Sequence, residues 1–154
     1  MIEMVVVLLL MTIIAATVLG RAITTSDIDL NSETDKIRNH LRFAQAEAMK
    51  RSNTVWGIKS AGTQYWLFSG TDPDNPANEI RLPGATYAGA SNRINESDIG
   101  VTLSDFTVFF NRIGRPYTAY TNETVNIPLA AQMQIDVAGG SRSITITPET
   151  GLIR

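Results

Sequence analysis

Nothing constrains this chain more than its leading block: from Met1 to Leu19 only Glu3, Thr12 and Thr17 are not plainly apolar. Met4 to Leu19 read MVVVLLLMTIIAATVL. As an α-helix the whole block extends roughly 28 Å, close to the thickness of a bilayer's hydrocarbon core. A helix also closes its backbone hydrogen bonds internally, as lipid requires. Gly20 and Arg21 then mark the water boundary. The overall hydrophobic content of 44% hides this block. The remainder of the chain is polar, rich in Gly, Asn and Thr and studded with aromatics, as a small β domain would be. About 100 residues beyond the helical segments are enough to bury a modest core without staples.

Three readings of the block compete. A secretory signal peptide wants a basic lead-in, and Met1-Ile2-Glu3 carries no positive charge. A single-pass anchor is the plain reading. The third is a helix that leaves the bilayer to pack inside a protein fibre. Glu3 bears on the last two, because a carboxylate carried to the bilayer centre costs about 2.5–3.5 kcal/mol. It can sit at the interface and complement the positive helix N-terminus, or it can seek a cation such as another chain's α-amino group. Composition leaves both open.

The chain has no cysteine, which excludes disulfide staples, thiol catalysis and thiolate metal sites. Its net charge is −2 and its pI about 5.3, without the broad basic footprint of a nucleic-acid binder. After Gly20, the run RAITTSDIDL mixes β-branched and cap-type residues that weaken a helix, so a soft segment or short break is expected there. Helix signals resume at Asn31-Ser32, with Glu33 and Asp35 in a first turn that suits the dipole. Leu30, Thr34, Ile37, Leu41, Ala44 and Ala48 repeat at steps of three and four, while Asp35, Arg38, Asn39, Arg42 and Gln45 lie elsewhere. Glu47 can pair with Arg51, and the helix should stop near Ser52-Asn53.

Strands are predicted at 55–59, 64–68, 79–82, 101–103, 107–111, 116–120, 124–127, 133–137 and 143–147. Gly62, Gly114 and Gly139-Gly140 sit where hairpins turn. The expected fold is α+β: a long N-terminal spine helix, hydrophobic and then amphipathic, packed on an antiparallel, sandwich-like head. The expected division is 1–20 for the membrane or filament-core helix, 21–53 for a linker and amphipathic helix, and 54–154 for the β-rich head.

The run IEMVVVLLLMTIIAA, Ile2 to Ala16, closely resembles the N-terminus of type IV pilins and type II secretion pseudopilins. Leu41-Arg42-Phe43-Ala44-Gln45-Ala46-Glu47-Ala48-Met49, the hairpin Phe109-Phe110-Asn111-Arg112-Ile113-Gly114-Arg115-Pro116 and the closing Ile144 to Gly151 are similar to the GspH/FimT branch of minor pseudopilins. The loops between Thr71 and Asp98 have no counterpart in it. The resemblance implies a structural filament subunit, held singly in the inner membrane before assembly and periplasmic or extracellular afterwards. It implies as partners other copies or related subunits, membrane lipid and the assembly machinery. In the family the glutamate, Glu3 here, neutralises the methylated N-terminal amine of a neighbour. The filament core would then hold Ile2, Met4, Val5, Val6, Val7, Leu8, Leu9, Leu10, Met11, Ile13, Ile14, Val18 and Leu19, with Gly20 as a flexible point. The usual leader and Phe-Thr-Leu-like lead-in do not precede Ile2 here, which leaves the mature first residue and its methylation open.

No catalytic constellation accompanies this. His40, the only histidine, is mid-helix with no triad spacing and is expected on the surface or helix flank. No phosphate loop or metal-protease motif occurs, and no cofactor is expected. Asp72, Asp74, Asn75, Asn78 and Glu79 offer oxygens for a cation such as the calcium some pseudopilins hold, but Pro73 and Pro76 interrupt them and a solvated turn is favoured. Arg112, Arg115, Arg142 and Arg154 are candidate phosphate contacts. In the FimT subgroup DNA capture goes with a Gly-Arg-any-Arg motif; Gly151-Leu152-Ile153-Arg154 keeps only its ends, so a DNA-binding minor pilin is the alternative, beside a membrane protein with a β sensor head. Trp66 and Phe68 should share one sheet face and Tyr65 and Leu67 the other, and an exposed Trp56 would mark a subunit contact. Asn95-Glu96-Ser97 and Asn122-Glu123-Thr124 match the glycosylation tripeptide by accident in a bacterial filament protein.

Overall fold

The computed structural model describes residues 2–51, 53–87 and 89–154, and the side chains of these apart from 16–28. The chain divides into two compact units, Met1–Ser32 and Glu33–Arg154. Helix α1, Ile2–Lys50, contributes to both. Its backbone stays helical through residues 20–30, so the expected interruption is absent. The reason is energetic: β-branched and cap-type residues each cost only a few tenths of a kcal/mol against Ala, and no proline breaks the ladder. In the first unit Thr12 returns its hydroxyl to the Leu9 carbonyl at 2.8 Å, inside the helix.

The second unit takes the last turns of α1 into its core. Thr34, Ile37, Leu41, Ala44 and Ala48 are buried, the stripe read from their spacing, whereas Leu30 is only half-buried. The helix ends at Lys50, and Arg51 still donates its N–H to the Glu47 carbonyl. The Glu47–Arg51 ion pair forms at 2.9 Å.

Against this helix lies an antiparallel sheet. Its strands are β1 (Trp56–Ala61), β2 (Gln64–Ser69), β3 (Glu79–Ile80), β4 (Ile94–Asn95), β5 (Phe106–Phe110), β6 (Pro116–Tyr120) and β7 (Asn126–Pro128), in the order β3-β2-β1-β5-β6-β7 with β4 also paired to β2. A separate two-stranded sheet joins β8 (Met133–Val137) to β9 (Arg142–Ile146). Its inward residues Ile135, Val137, Ile144 and Ile146 are fully buried.

Three strands differ from expectation for local reasons. Residues 101–103 form only a bridge from Leu103 to Val137, because the Val101 and Leu103 N–H groups are both taken by Glu96, through its carbonyl and its carboxylate. β3 stops at Ile80, since the Leu82 N–H binds the Tyr87 hydroxyl and Pro83 comes next. β7 starts at Asn126, because Asn122 Oδ1 accepts from the Thr124 and Val125 N–H groups in an Asx turn. β4 is absent from the sequence reading, being only two residues long and too short to show alternation.

The sheet buries both faces. Ile58, Tyr65, Leu67, Val108 and Phe110 lie on the helix side, with Trp56 among them. On the other side Val55, Trp66, Phe68, Phe109, Tyr117 and Tyr120 form an aromatic cluster. Gly57 makes that cluster possible: it sits between Phe68 and Phe109 across the strands, and a Cβ there would stand 2.5 Å from Phe68 Cζ. The Phe68 ring fills the vacant space and meets Phe109 edge-on, with centroids 5.0 Å apart.

Candidate functional site

In the first unit the side chains of residues 2–15 are exposed throughout, including Ile2, Met4, Val5, Val6, Val7, Leu8, Leu9, Leu10, Met11, Ile13 and Ile14. Glu3 lies exposed in the first turn of this helix. An apolar surface of this kind is unstable in water. Covering one such Leu, Ile or Val is worth about 1.5–3 kcal/mol, so a run of them demands lipid or protein around it. The side chains of Val18 and Leu19 lie outside the described residues, while the backbone at Gly20, the expected flexible point, is helical. Among the described residues no helix is long and apolar enough to cross a membrane.

The head carries a second arrangement, a polar clasp between helix and C-terminal segment. Gln45 donates its amide to the carbonyls of Gly114 at 2.9 Å and Gly151 at 3.0 Å. Arg42 donates to the Ile153 carbonyl at 3.0 Å. Both glycines are needed: each has a positive φ, and a Cβ on Gly151 would collide with the Gly114 oxygen. Asn111 shapes the Gly114 turn, accepting from the N–H groups of Ile113 and Arg115 at 3.1 and 3.0 Å. Neither the clasp nor this buried asparagine can be read from the sequence, since one Gln and one Asn carry no periodic signal. Buried Glu96 is equally silent there. It accepts from Ser60 Oγ at 3.1 Å and from the Leu103 N–H at 2.8 Å, pinning the loop before β5.

His40 is a correction. It is buried, not on the surface, with Nδ1 at 3.1 Å from the Tyr65 hydroxyl. Burial lowers its pKa, against a hydrogen bond to the Pro83 backbone that raises it. A proline backbone can only accept, so the imidazole donates there and its other nitrogen accepts from Tyr65. The neutral ring is satisfied on both sides. Trp56 is likewise buried and stacked under Arg51 at 5.2 Å, so it presents no subunit contact.

The loop from Asp72 to Glu79 spends its oxygens inside the protein. Asp74 pairs with Lys59 at 2.7 Å and Glu79 with Arg93 at 2.6 Å. Asp72 Oδ1 accepts from the Asp74 N–H, and Asn75 Oδ1 caps the short turn at Ala77. The loop serves as a lid: the Pro73 carbonyl accepts from the Trp66 indole at 2.7 Å, and Arg93 lies 4.0 Å over that ring. Asn95 and Asn122 of the two tripeptides hold local turns through their side-chain oxygens.

The four arginines do not converge. Arg115 is committed to Glu149 at 2.5 Å and rests near the Tyr117 ring. Arg112 is exposed on the same turn. Arg154 pairs through its backbone with Thr145, three positions and about 10 Å along β9 from Arg142. Arg142 donates to the Ser141 carbonyl.

What the head offers is a rigid β body clamped on one helix, without a catalytic constellation among the described residues. A family model described as type II transport protein GspH matches residues 33–151, nearly the whole second unit. The chain belongs to the GspH family. This is the pseudopilin branch read from the helix end, the Gly114 hairpin and the closing strand, and it is a structural family rather than an enzyme family. GspH membership indicates a subunit of the type II secretion pseudopilus, in the cell envelope and among other pseudopilins. The Ile2–Leu19 block precedes the matched residues. No curated protein and no solved structure matches the chain.

Proposed function

We propose that this GspH-family chain waits in the inner membrane on residues 2–19 and is then drawn into a helical pseudopilus, where neighbouring α1 helices replace lipid. The observation that carries the reading is the exposed apolar run from Ile2 to Ile14, attached to a head whose own core is complete. Exchange of lipid for other helices is nearly neutral in buried hydrocarbon, so close packing and a charge pair would set the register. Glu3 is the assigned acid, and a neighbour's N-terminal amine is its assigned partner. Gly20 would give α1 its freedom in the assembled fibre.

The test is Glu3→Ala in the full chain. The head should keep its thermal unfolding midpoint, while filament incorporation, scored by shearing and electron microscopy, should fall below a tenth of wild type, about 1.4 kcal/mol or more. Wild-type filament yield from that variant would end the charge-pair assignment.

A further inference from the structure

We propose that the cleft between the Arg112 turn and the β6–β7 hairpin binds a small zwitterion, an amino acid or short peptide with free ends. Its carboxylate would lie on Arg112 and its ammonium on Glu123. The cleft measures about 320 Å³ and lies wholly within the second unit, a size at the lower end of small-molecule sites. Val55 and Tyr120 line it, and both are buried members of the aromatic cluster, so the cleft rests on the core. Arg112 and Glu123 line it too, one cation and one anion, each exposed. Such a site goes beyond filament assembly and requires none of it.

Both charges ride on braced turns. Asn111 holds the first: its Oδ1 accepts from the Ile113 and Arg115 N–H groups, and its carbonyl accepts from Gly114 at 2.8 Å. In the hairpin, Thr121 and Asn122 both donate their N–H groups to the Val125 carbonyl, at 3.0 and 3.1 Å. Asn126 Nδ2 donates back to the carbonyls of Asn122 and Glu123 at 3.1 and 2.8 Å. Asn122 Oδ1 is filled by the Thr124 and Val125 N–H groups and the Thr124 hydroxyl, which leaves its amide NH2 as a donor for a ligand. A site set in place beforehand loses less affinity to ordering.

Charge decides the ligand class. Among the described residues no ion pair engages Arg112 or Glu123. Even a pair formed between two such exposed groups would be weak enough for a ligand to replace. Phosphate or another bare anion would meet Glu123, and a metal ion or simple amine would meet Arg112, so each is repelled by one wall. A molecule carrying both signs satisfies the two walls at once, through charge-assisted hydrogen bonds. Tyr120 steadies the acidic side. Burial first, and next a hydrogen bond to Glu123, push its hydroxyl pKa up to about 12. The phenol therefore keeps its proton and donates it, and a carboxylate has lone pairs left for an ammonium.

The test is calorimetric titration of the full-length chain in detergent micelles with alanylalanine. Saturable binding at one site is expected, and acetylating the amine or amidating the carboxyl should each weaken it about tenfold. Arg112→Gln should weaken the free dipeptide about tenfold and leave the C-amidated one unchanged. Glu123→Gln should weaken the free dipeptide equally and leave the N-acetylated one unchanged. Both side chains are exposed, so both variants should keep the wild-type unfolding midpoint. Free alanine binding as tightly as the dipeptide would support the site with an amino acid as its ligand; weaker binding by alanine would support it with a peptide. Undiminished binding of the doubly capped dipeptide, inorganic phosphate binding as well as the dipeptide, or no saturable binding of either zwitterion would each overturn the proposal.

Discussion

His40 shows how one side chain couples the helix to the sheet. It is neutral in the fold because burial lowers its pKa below the ordinary 6.5. Unfolding returns it to water, where it takes a proton more readily. The unfolded state therefore binds more protons, and stability rises with pH across that window. The contribution is present above about pH 6.5 and is lost as pH falls through the lowered value. The thermal midpoint of the chain should drop between pH 7 and pH 5, and His40→Gln should flatten that dependence. At pH 7.5 the same variant should cost about 1 kcal/mol, the net value of a hydrogen bond, through the stranded Tyr65 hydroxyl. An unchanged slope in the variant would move the dependence to other groups. Nothing at residue level announces this: a histidine beside Asn39 and Leu41 reads as flank, and only the fold reveals that Tyr65 faces it.

Elements are more legible than single residues. The stripe Thr34–Ile37–Leu41–Ala44–Ala48 is a three-and-four repeat, and β6 and β8 begin and end where alternation and turn residues place them. The failures occur where a side chain competes for backbone partners. Glu96 takes the N–H groups that 101–103 would have given to a ladder, and Asn122 does the same ahead of β7. The Gln45 clasp belongs to this class. It joins α1 to two turns that are far apart in sequence, which no local pattern encodes. Gln45→Ala should destabilise the head by about 1–3 kcal/mol, because two carbonyls lose their donor. Hydrogen exchange should quicken first in the Thr147–Ile153 segment rather than in β1 or β2.

At the scale of the molecule, the division at Glu33 coincides with the start of the GspH match. A fragment beginning at Asp29 keeps the buried stripe, both sheets and the clasp. It should unfold cooperatively, within a few degrees of the intact chain, and sediment as a monomer; failure to fold would show that the core depends on residues before it. The exposed apolar run makes opposite demands, needing company wherever it resides. The clasp has a mechanical consequence for such a protein. On the assembly route proposed above, drawing the subunit out of a membrane by its helix would put tension along α1, and that load would have to reach the β body. Arg42 and Gln45 hold the C-terminal carbonyls side by side while the stripe beneath them is sheared. Bonds loaded in parallel share a force that a zipper would meet one rung at a time, so the body travels with its tether instead of peeling from it.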